Sequence, residues 1–432
     1  MPSFLLALNC GSSSLKSTLF AYPSLEQLAA VSADSIGSDA ASLKIKYKEN
    51  THSRGIKGES HPDIFGDVLE EIEKLDIVTS KEDIRYVTHR IVHGGTFSEP
   101  VVVTKDHSEA LSKMEELSAF APLHNHHAVL TVKAVLQKLP TAANLLCFDT
   151  LFHYSLPPHI YTYPISHPEH APPVPLRKYG FHGLSYASIL SKVAKKLNKP
   201  EEHTSLIICH LGSGASMCCV KDGKSYDTTM GLTPLEGLPG GTRSGSLDPS
   251  LVFHLFTDTT GSGKLVESKG MHIAKGELIL NKSSGFQGLC GTNEYGSIQL
   301  KANEQRKNKV PAARNAEDQE GRERLCVEIF ENRILNYIGS YLIPLKGNPD
   351  AIVFSGGIGE KSADLRGSIL AKLDWLGIEV DMQKNENAGK DDAEVVEITS
   401  AQSKIRALRV LTDEEKQCAE MARKTFSAKQ TS

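Results

Sequence analysis

The sequence predicts an α/β fold built from two related halves around a cleft, and three observations carry that reading. Two strand–turn–strand units of the same kind stand about half a chain apart, which suggests an internal duplication. Apolar runs of strand type alternate with amphipathic helical stretches. The length of 432 residues exceeds one ordinary core and suits two to three domains.

The elements follow in order. Phe4 to Leu8 is a short apolar run ending at Asn9-Cys10-Gly11-Ser12-Ser13-Ser14, and Leu15 to Tyr22 resumes with partial two-residue alternation. Gly and three Ser in mid-segment, with no 3.6-residue period, exclude a helix and indicate a hairpin. The pattern returns at Leu206 to Leu211, Gly212-Ser213-Gly214-Ala215-Ser216 and Met217 to Val220. A third glycine turn, Ser355-Gly356-Gly357-Ile358-Gly359-Glu360, follows the apolar run Ala351 to Phe354 and precedes a helical stretch from Ser362.

Periodicity places helices over Pro62–Leu75, Arg322–Leu345 and Glu414–Phe426. Pro157 to Pro175 is rich in Pro and His, and is read as the crossing between halves. Lys301 to Glu320 is densely charged without an apolar face, so an exposed insertion or solvated helix is expected.

Composition narrows the class. Hydrophobic residues at 40% and charged residues at 23% describe an ordinary globular chain and set aside disorder and coiled coil. Lys plus Arg number 48 against 52 Asp plus Glu. So even a balance makes no global case for nucleic acid or an anionic membrane, and any anion must be gripped locally. The eight Cys are scattered without a CxxC pair, which points to a reducing compartment. The apolar start lacks a basic region, and no apolar stretch approaches eighteen residues, so a cytosolic protein is expected.

Small residues in a turn let backbone N–H groups converge on phosphate, and Lys16 adds a charge. Gly11 to Lys16 is not a P-loop: no GxxxxGK[ST] surrounds it, and a strand follows. A flexible hairpin turn explains one such segment; three in one chain describe two phosphate hairpins and a nucleoside turn. The histidine runs His124-Asn125-His126-His127 and His167-Pro168-Glu169-His170 suggest zinc at first sight, but neither repeats with Cys at ligand spacing.

At this level of detail the chain resembles the acetate kinase family. Asn9 to Lys16 looks like that family's N-terminal signature, Tyr179-Gly180-Phe181-His182-Gly183 a second, and Thr242-Arg243-Ser244-Gly245 a third. His89 to Gly95, Ala121 to Asn125, Phe148-Asp149-Thr150, Gly231 to Gly237 and Gly356 to Glu360 also match, collinearly along nearly the whole chain. The resemblance implies the duplicated ribonuclease H-like fold of acetate and sugar kinases, Hsp70 and actin. Residues 1–150, completed by a C-terminal helix at 415–432, would form one domain. Residues 151–414 would form the second, with the nucleotide site and dimer surface. The implied reaction is reversible transfer of the ATP γ-phosphoryl group to acetate, giving acetyl phosphate and ADP with Mg²⁺ or Mn²⁺. No nucleic acid or membrane partner is implied, and a homodimer is.

In-line phosphoryl transfer needs charge neutralisation and positioning more than covalent chemistry. Arg90 and Arg243 suit it, because a planar guanidinium bonds two oxygens at once. By the resemblance Arg90 holds the acetate carboxylate and Arg243 the transferring phosphoryl group, with His182 donating to the group in flight. Asp149 ends an apolar run, a usual catalytic address, and orients Arg90; acetate is already ionised and needs no strong base. Asn9 and Glu414 are the implied metal-linked residues, although Glu414 would also serve as an ordinary first-turn helix acid. Val92, Leu123, Phe181 and Pro234 would enclose one methyl group. Ser12, Ser14, Lys16, His210, Gly212, Ser213 and Gly214 fall to the phosphates, with His124 on the same side, and Gly356, Gly357, Ile358 and Gly359 to the nucleoside.

The chain departs from the family pattern on the donor side. Ser213 stands where Asn is common, Lys361 follows the glycine turn where Asn is usual, and Thr292 to Ser297 lacks the usual Arg of an adenosine platform. A pyrophosphate donor is therefore the runner-up. Propionate or butyrate kinases and sugar kinases are further alternatives, and outside enzymes so is an ATP switch of the actin or Hsp70 kind.

Overall fold

The computed structural model describes residues 3–11, 13–57, 60–107, 109–120, 122–166, 172, 174–255, 263–268 and 271–428. Eight strands form the first sheet: β1 (Phe4–Cys10), β2 (Leu15–Ala21), β3 (Gln27–Asp34), β4 (Ser42–Tyr47), β5 (Asn50–Gly55), β6 (Ile84–Ile91), β7 (Val101–Val103) and β8 (Ala143–Phe148). They lie in the order β5-β4-β3-β2-β1-β6-β8-β7. The second sheet holds β9 (Leu206–His210), β10 (Ser216–Lys221), β11 (Lys224–Thr228), β14 (Ala351–Ser355), β15 (Val395–Glu397) and β16 (Arg406–Val410), ordered β11-β10-β9-β14-β16-β15. A small ribbon, β12 (Leu265–Ser268) with β13 (Met271–Ala274), stands apart.

The duplication is explicit in the topology. Each sheet has an antiparallel three-strand meander whose first strand, β1 or β9, runs parallel to β6 or β14 and through it to β8 or β16. Strands in such a sheet are covered on both faces and read as continuous apolar runs. In β1, Phe4, Leu6 and Leu8 enter one core while Leu5 and Ala7 enter another. In β9, Ile207 and Cys209 split from Leu206 and Ile208 in the same way.

Three of the helices that cover these faces were expected from the sequence. His61–Glu73 starts at Ser60, whose side chain accepts the Asp63 N–H, and buries Ile64, Phe65, Val68, Leu69 and Ile72 on the first sheet. Arg322–Leu342 buries Cys326, Val327, Phe330, Ile334, Ile338 and Tyr341 in the largest core. Glu414–Ala428 returns to the first sheet, where Cys418, Ala419 and Ala422 pack on Leu5 and Ala7.

Two sequence expectations change, while the apolar stripe on Arg322–Leu342 packs into the core of the second sheet. The charged segment from Lys301 belongs to a helix that starts earlier, Tyr295–Lys307, with Tyr295, Ile298 and Ala302 buried. Its apolar face disappears only when the reading begins at residue 301. The third glycine turn is itself helical, Gly356–Lys361, and a second helix, Ala363–Ala371, follows. No described helix is long and apolar enough to cross a membrane.

Candidate active site

Both glycine–serine hairpin turns open onto one cavity of about 310 Å³. Gly11 of the first turn and Ser213 and Gly214 of the second line it, together with Arg90, Val92, His182, Thr242 and Arg243. The parallel strands deliver one wall. Asn9 and Arg90 are paired in register near the ends of β1 and β6, and Asp149 directly follows β8. Side chains at the carboxyl ends of parallel strands thus stand in a row.

Arg90 is the hub of that row. Its Nε and Nη2 donate to Asp149 Oδ1 and Oδ2 at 3.1 and 2.8 Å. Its Nη1 donates to Asn9 Oδ1 at 3.1 Å and pairs with Glu414 Oε2 at 2.7 Å. A guanidinium carries five N–H groups, so these contacts leave one for a substrate. Burial acts to lower the Arg90 pKa, but the charges of Asp149 and Glu414 outweigh it and hold the guanidinium firmly protonated. Burial likewise works against the Glu414 charge, and Arg90 and the Ser185 hydroxyl, which donates at 2.7 Å, keep its pKa below the ordinary value. Asn9 Nδ2 donates to both Glu414 and Glu415 at 3.0 Å. Burial and the neighbouring Glu414 push Glu415 up.

The second group has the opposite character. Arg243 Nη1 is fully enclosed yet has no partner among the described residues. Burial and Arg90 pull its pKa down to about 10, so it stays charged at neutral pH. His182 stands at the start of the helix Gly183–Leu197 in the left-handed region, φ +57°. That conformation costs a residue with a Cβ about 1–2 kcal/mol. Its Nδ1 is 2.8 Å from Ser216 Oγ, which is 2.5 Å from the Tyr186 hydroxyl. Burial, then His210 and the two arginines, drive the His182 pKa well down, so the ring is neutral. A Cβ built on Gly214 would lie 3.3 Å from Arg243 Nη1 and 3.7 Å from His182 Nε2, so both nitrogens converge on that turn. The His210 ring is 4.6 Å from that of His182. Burial presses it to about 4, and its Nδ1 is buried without a partner among the described residues.

For the acyl group, Val92 lines the cavity, and Phe181 joins Met230 and Leu232 in the apolar cluster behind it. Pro234 is buried on the loop that follows Leu232. The Leu123 and His124 side chains, Ser12, and His167 and His170 lie outside the described residues. Ser14 closes the first turn, its carbonyl accepting the Gly11 N–H at 2.9 Å. Lys16 lies on β2, exposed and paired with Asn9; it is not among the residues lining the cavity, and its charge acts on Glu415 beside the site.

On the donor side, Gly356 turns with φ +74°, and the Leu211 carbonyl beyond Gly212 accepts the N–H groups of Ile358 and Gly359 at 2.8 and 3.1 Å. The glycine turn is thereby stitched to the second hairpin. Buried Arg366 closes the far end of the Gly356–Lys361 helix, donating to the Gly359 and Glu360 carbonyls at 2.8 Å. Gly296, in the segment lacking the platform arginine, and Gly357 both face open space.

Several site residues carried no sequence signal. Ser185 and Glu415 act on residues more than two hundred positions away. Asn281 and Lys282 line the cavity from the end of the short helix Lys275–Lys282, a stretch without a motif. Leu232 could have been found, since it stands two residues before Pro234 in the same loop. No group of three or more His, Cys, Asp or Glu gathers as a metal cluster among the described residues.

Comparison with known proteins agrees with this geometry. The probable acetate kinase of Cryptococcus neoformans is 44% identical over 98% of this chain and 98% of its own. The acetate kinase of Borreliella burgdorferi is 38% identical over 95% of this chain and 96% of its own. Among solved structures, a propionate kinase from Francisella tularensis superposes with a TM-score of 0.80 at 34% identity, covering 97% of this chain and 98% of its own. Porphyromonas gingivalis acetate kinase gives 0.79 at 30% identity, covering 98% of this chain and all of its own. The acetokinase family model matches residues 4–420, and the chain belongs to the acetokinase family.

Proposed function

We propose that this chain transfers the γ-phosphoryl group of ATP reversibly to acetate. The observation that carries the reading is the convergence of charged Arg243 Nη1 and neutral His182 Nε2 on the Gly214 turn, in a cavity that apolar Val92 also lines. Acetate attacks phosphorus through a carboxylate oxygen, the bond to the bridging β-oxygen breaks, and ADP leaves; no proton need move. Charge spread over the equatorial oxygens requires donors already in place. Arg243 supplies a guanidinium with unmet hydrogen-bonding capacity. With Ser216 donating to Nδ1, the His182 proton sits on Nε2 and points at the same place. Arg90, with one N–H to spare, steers a single carboxylate oxygen rather than clasping two. Asp149 fixes its plane.

A divalent cation suits the other wall. Asp149 and Glu414 pair with one guanidinium, Glu415 adds a further carboxylate beside Asn9, and carboxylate and amide oxygens are the hard donors magnesium prefers. Asn9 and Glu414, with Glu415 beside them, are the residues that would hold it. When bound, the ion supplies charge neutralisation for the nucleotide phosphates. The division at residue 150, with the last helix returning to the first half, is the domain reading this account adopts. The homodimer stays a proposal, and solution mass at micromolar concentration decides it.

Val92 tests the acyl pocket. Removing two methyl groups from a methyl-sized wall makes room for one more carbon, worth about 1–3 kcal/mol. Val92→Ala should shift the acetate-to-propionate ratio of kcat/KM toward propionate by up to roughly tenfold. An unchanged ratio removes Val92 from the pocket. The reaction itself is read by trapping acyl phosphate as the hydroxamate, with absence of product from acetate and ATP as the contrary result.

A further inference from the structure

The loop Leu232–Glu236, which carries Pro234, is fastened by a residue outside the cavity. The Tyr163 hydroxyl donates to Glu236 Oε2 at 2.5 Å and accepts the Leu232 N–H at 3.0 Å. One phenol oxygen thus joins both ends of the loop. Gly231 is what makes room: a Cβ there would overlap the Glu236 carboxylate and the Tyr163 oxygen. No lysine or arginine pairs with Glu236 among the described residues, so the phenol is its partner in the fold. Burial and that carboxylate push the Tyr163 pKa upward, which keeps the hydroxyl a donor.

The fastening passes directly to the acyl pocket. The Gly231 carbonyl accepts the N–H groups of Tyr179 and Gly180 at 2.9 and 3.3 Å, immediately before Phe181 and His182. The Leu232 carbonyl lies 3.2 Å from His93 Nε2, and the His93 ring packs edge-on to Phe181 at 5.3 Å. The Leu232 side chain shares its cluster with Val92 and Phe181.

We propose that the Tyr163–Glu236 pair is a positioning device for acceptor specificity, holding the Leu232–Glu236 loop against Phe181 so that the pocket keeps the width of one methyl group. The inference rests on the acetate reading above. Neither residue touches the reacting atoms, so the loss of the tie should loosen acceptor binding without disabling transfer.

Tyr163→Phe keeps the ring and deletes only the tie. Expected are an acetate KM raised about tenfold, a kcat within about twofold, an unchanged KM for ATP, and an acetate-over-propionate preference three- to tenfold smaller, all on the scale of one misplaced contact. Hydrogen exchange at the Leu232 amide should quicken at least about tenfold as its acceptor disappears. Gly231→Ala, whose methyl displaces the carboxylate, should reproduce these changes, whereas Glu236→Gln keeps an accepting oxygen and should stay near wild type. Glu236→Ala breaks the tie from its other end should Tyr163→Phe fold poorly. An active wild type whose folded Tyr163→Phe variant keeps its acetate KM and acyl preference overturns the proposal. A wild type that forms no acetyl phosphate overturns the acetate reading and the specificity claim together.

Discussion

Arg243→Ala is expected to lose at least about two orders of magnitude in turnover while keeping its thermal midpoint. Removing one preorganised charged donor aimed at transition-state oxygens costs about 3 kcal/mol in comparable sites. Stability should not follow, because Arg243 Nη1 makes no hydrogen bond among the described residues, and burial already strains its charge. Deleting it removes an unmet desolvation cost rather than a contact. Hydroxamate trapping for turnover and thermal unfolding on the same sample read the two effects. Near-normal turnover in the folded variant would strike Arg243 from the catalytic residues.

Arg90→Ala should fail differently, losing turnover and stability together. Its side chain neutralises Asp149, which is fully buried, and Glu414, which is largely so. Breaking a buried pair by removing one partner costs about 3–5 kcal/mol, since it strands the remaining charge. Here two carboxylates are stranded, and Asn9 remains as a donor to Glu414 alone of the two. The denaturant midpoint should fall markedly with an unchanged slope. Combining Arg90→Ala with Asp149→Asn should recover part of that stability and none of the turnover. An Arg90→Ala protein with wild-type stability contradicts the network described here.

The contrast between these arginines was not legible in the sequence, where glycine nearby suggested a loop for both; Arg90 is in fact on strand β6, and Arg243 is in a loop. Their residue types and motif context indicate anion chemistry, but only the fold decides which guanidinium is already engaged. The hairpins at Phe4–Ala21 and Leu206–Lys221 were readable because apolar alternation brackets a run of Gly and Ser. Strands β3 to β5 were not: the β5 sequence Asn50-Thr51-His52-Ser53-Arg54-Gly55 is polar and almost wholly exposed at a sheet edge, so no burial pattern marks it. Lys16 was legible as a charge beside the turn, and strand register pairs it with Asn9. Tyr163 lies in the Pro- and His-rich crossing, and its value depends on Glu236, seventy-three residues on.

The donor side frames the decisive experiment. Gly296 and Gly357 each face open space, and the Leu211 carbonyl holds the Gly356–Lys361 helix against the second hairpin turn. Loss of a stacking cation from the platform is worth about 0.5–2 kcal/mol, too little to abolish nucleotide use. The measurement is acyl phosphate formation from acetate with ATP, GTP, inosine triphosphate and pyrophosphate as donors, each at saturating Mg²⁺. This account predicts acetyl phosphate with all three nucleotides, at kcat/KM values within roughly tenfold of one another, and no turnover with pyrophosphate. Turnover with pyrophosphate and none with ATP would contradict it.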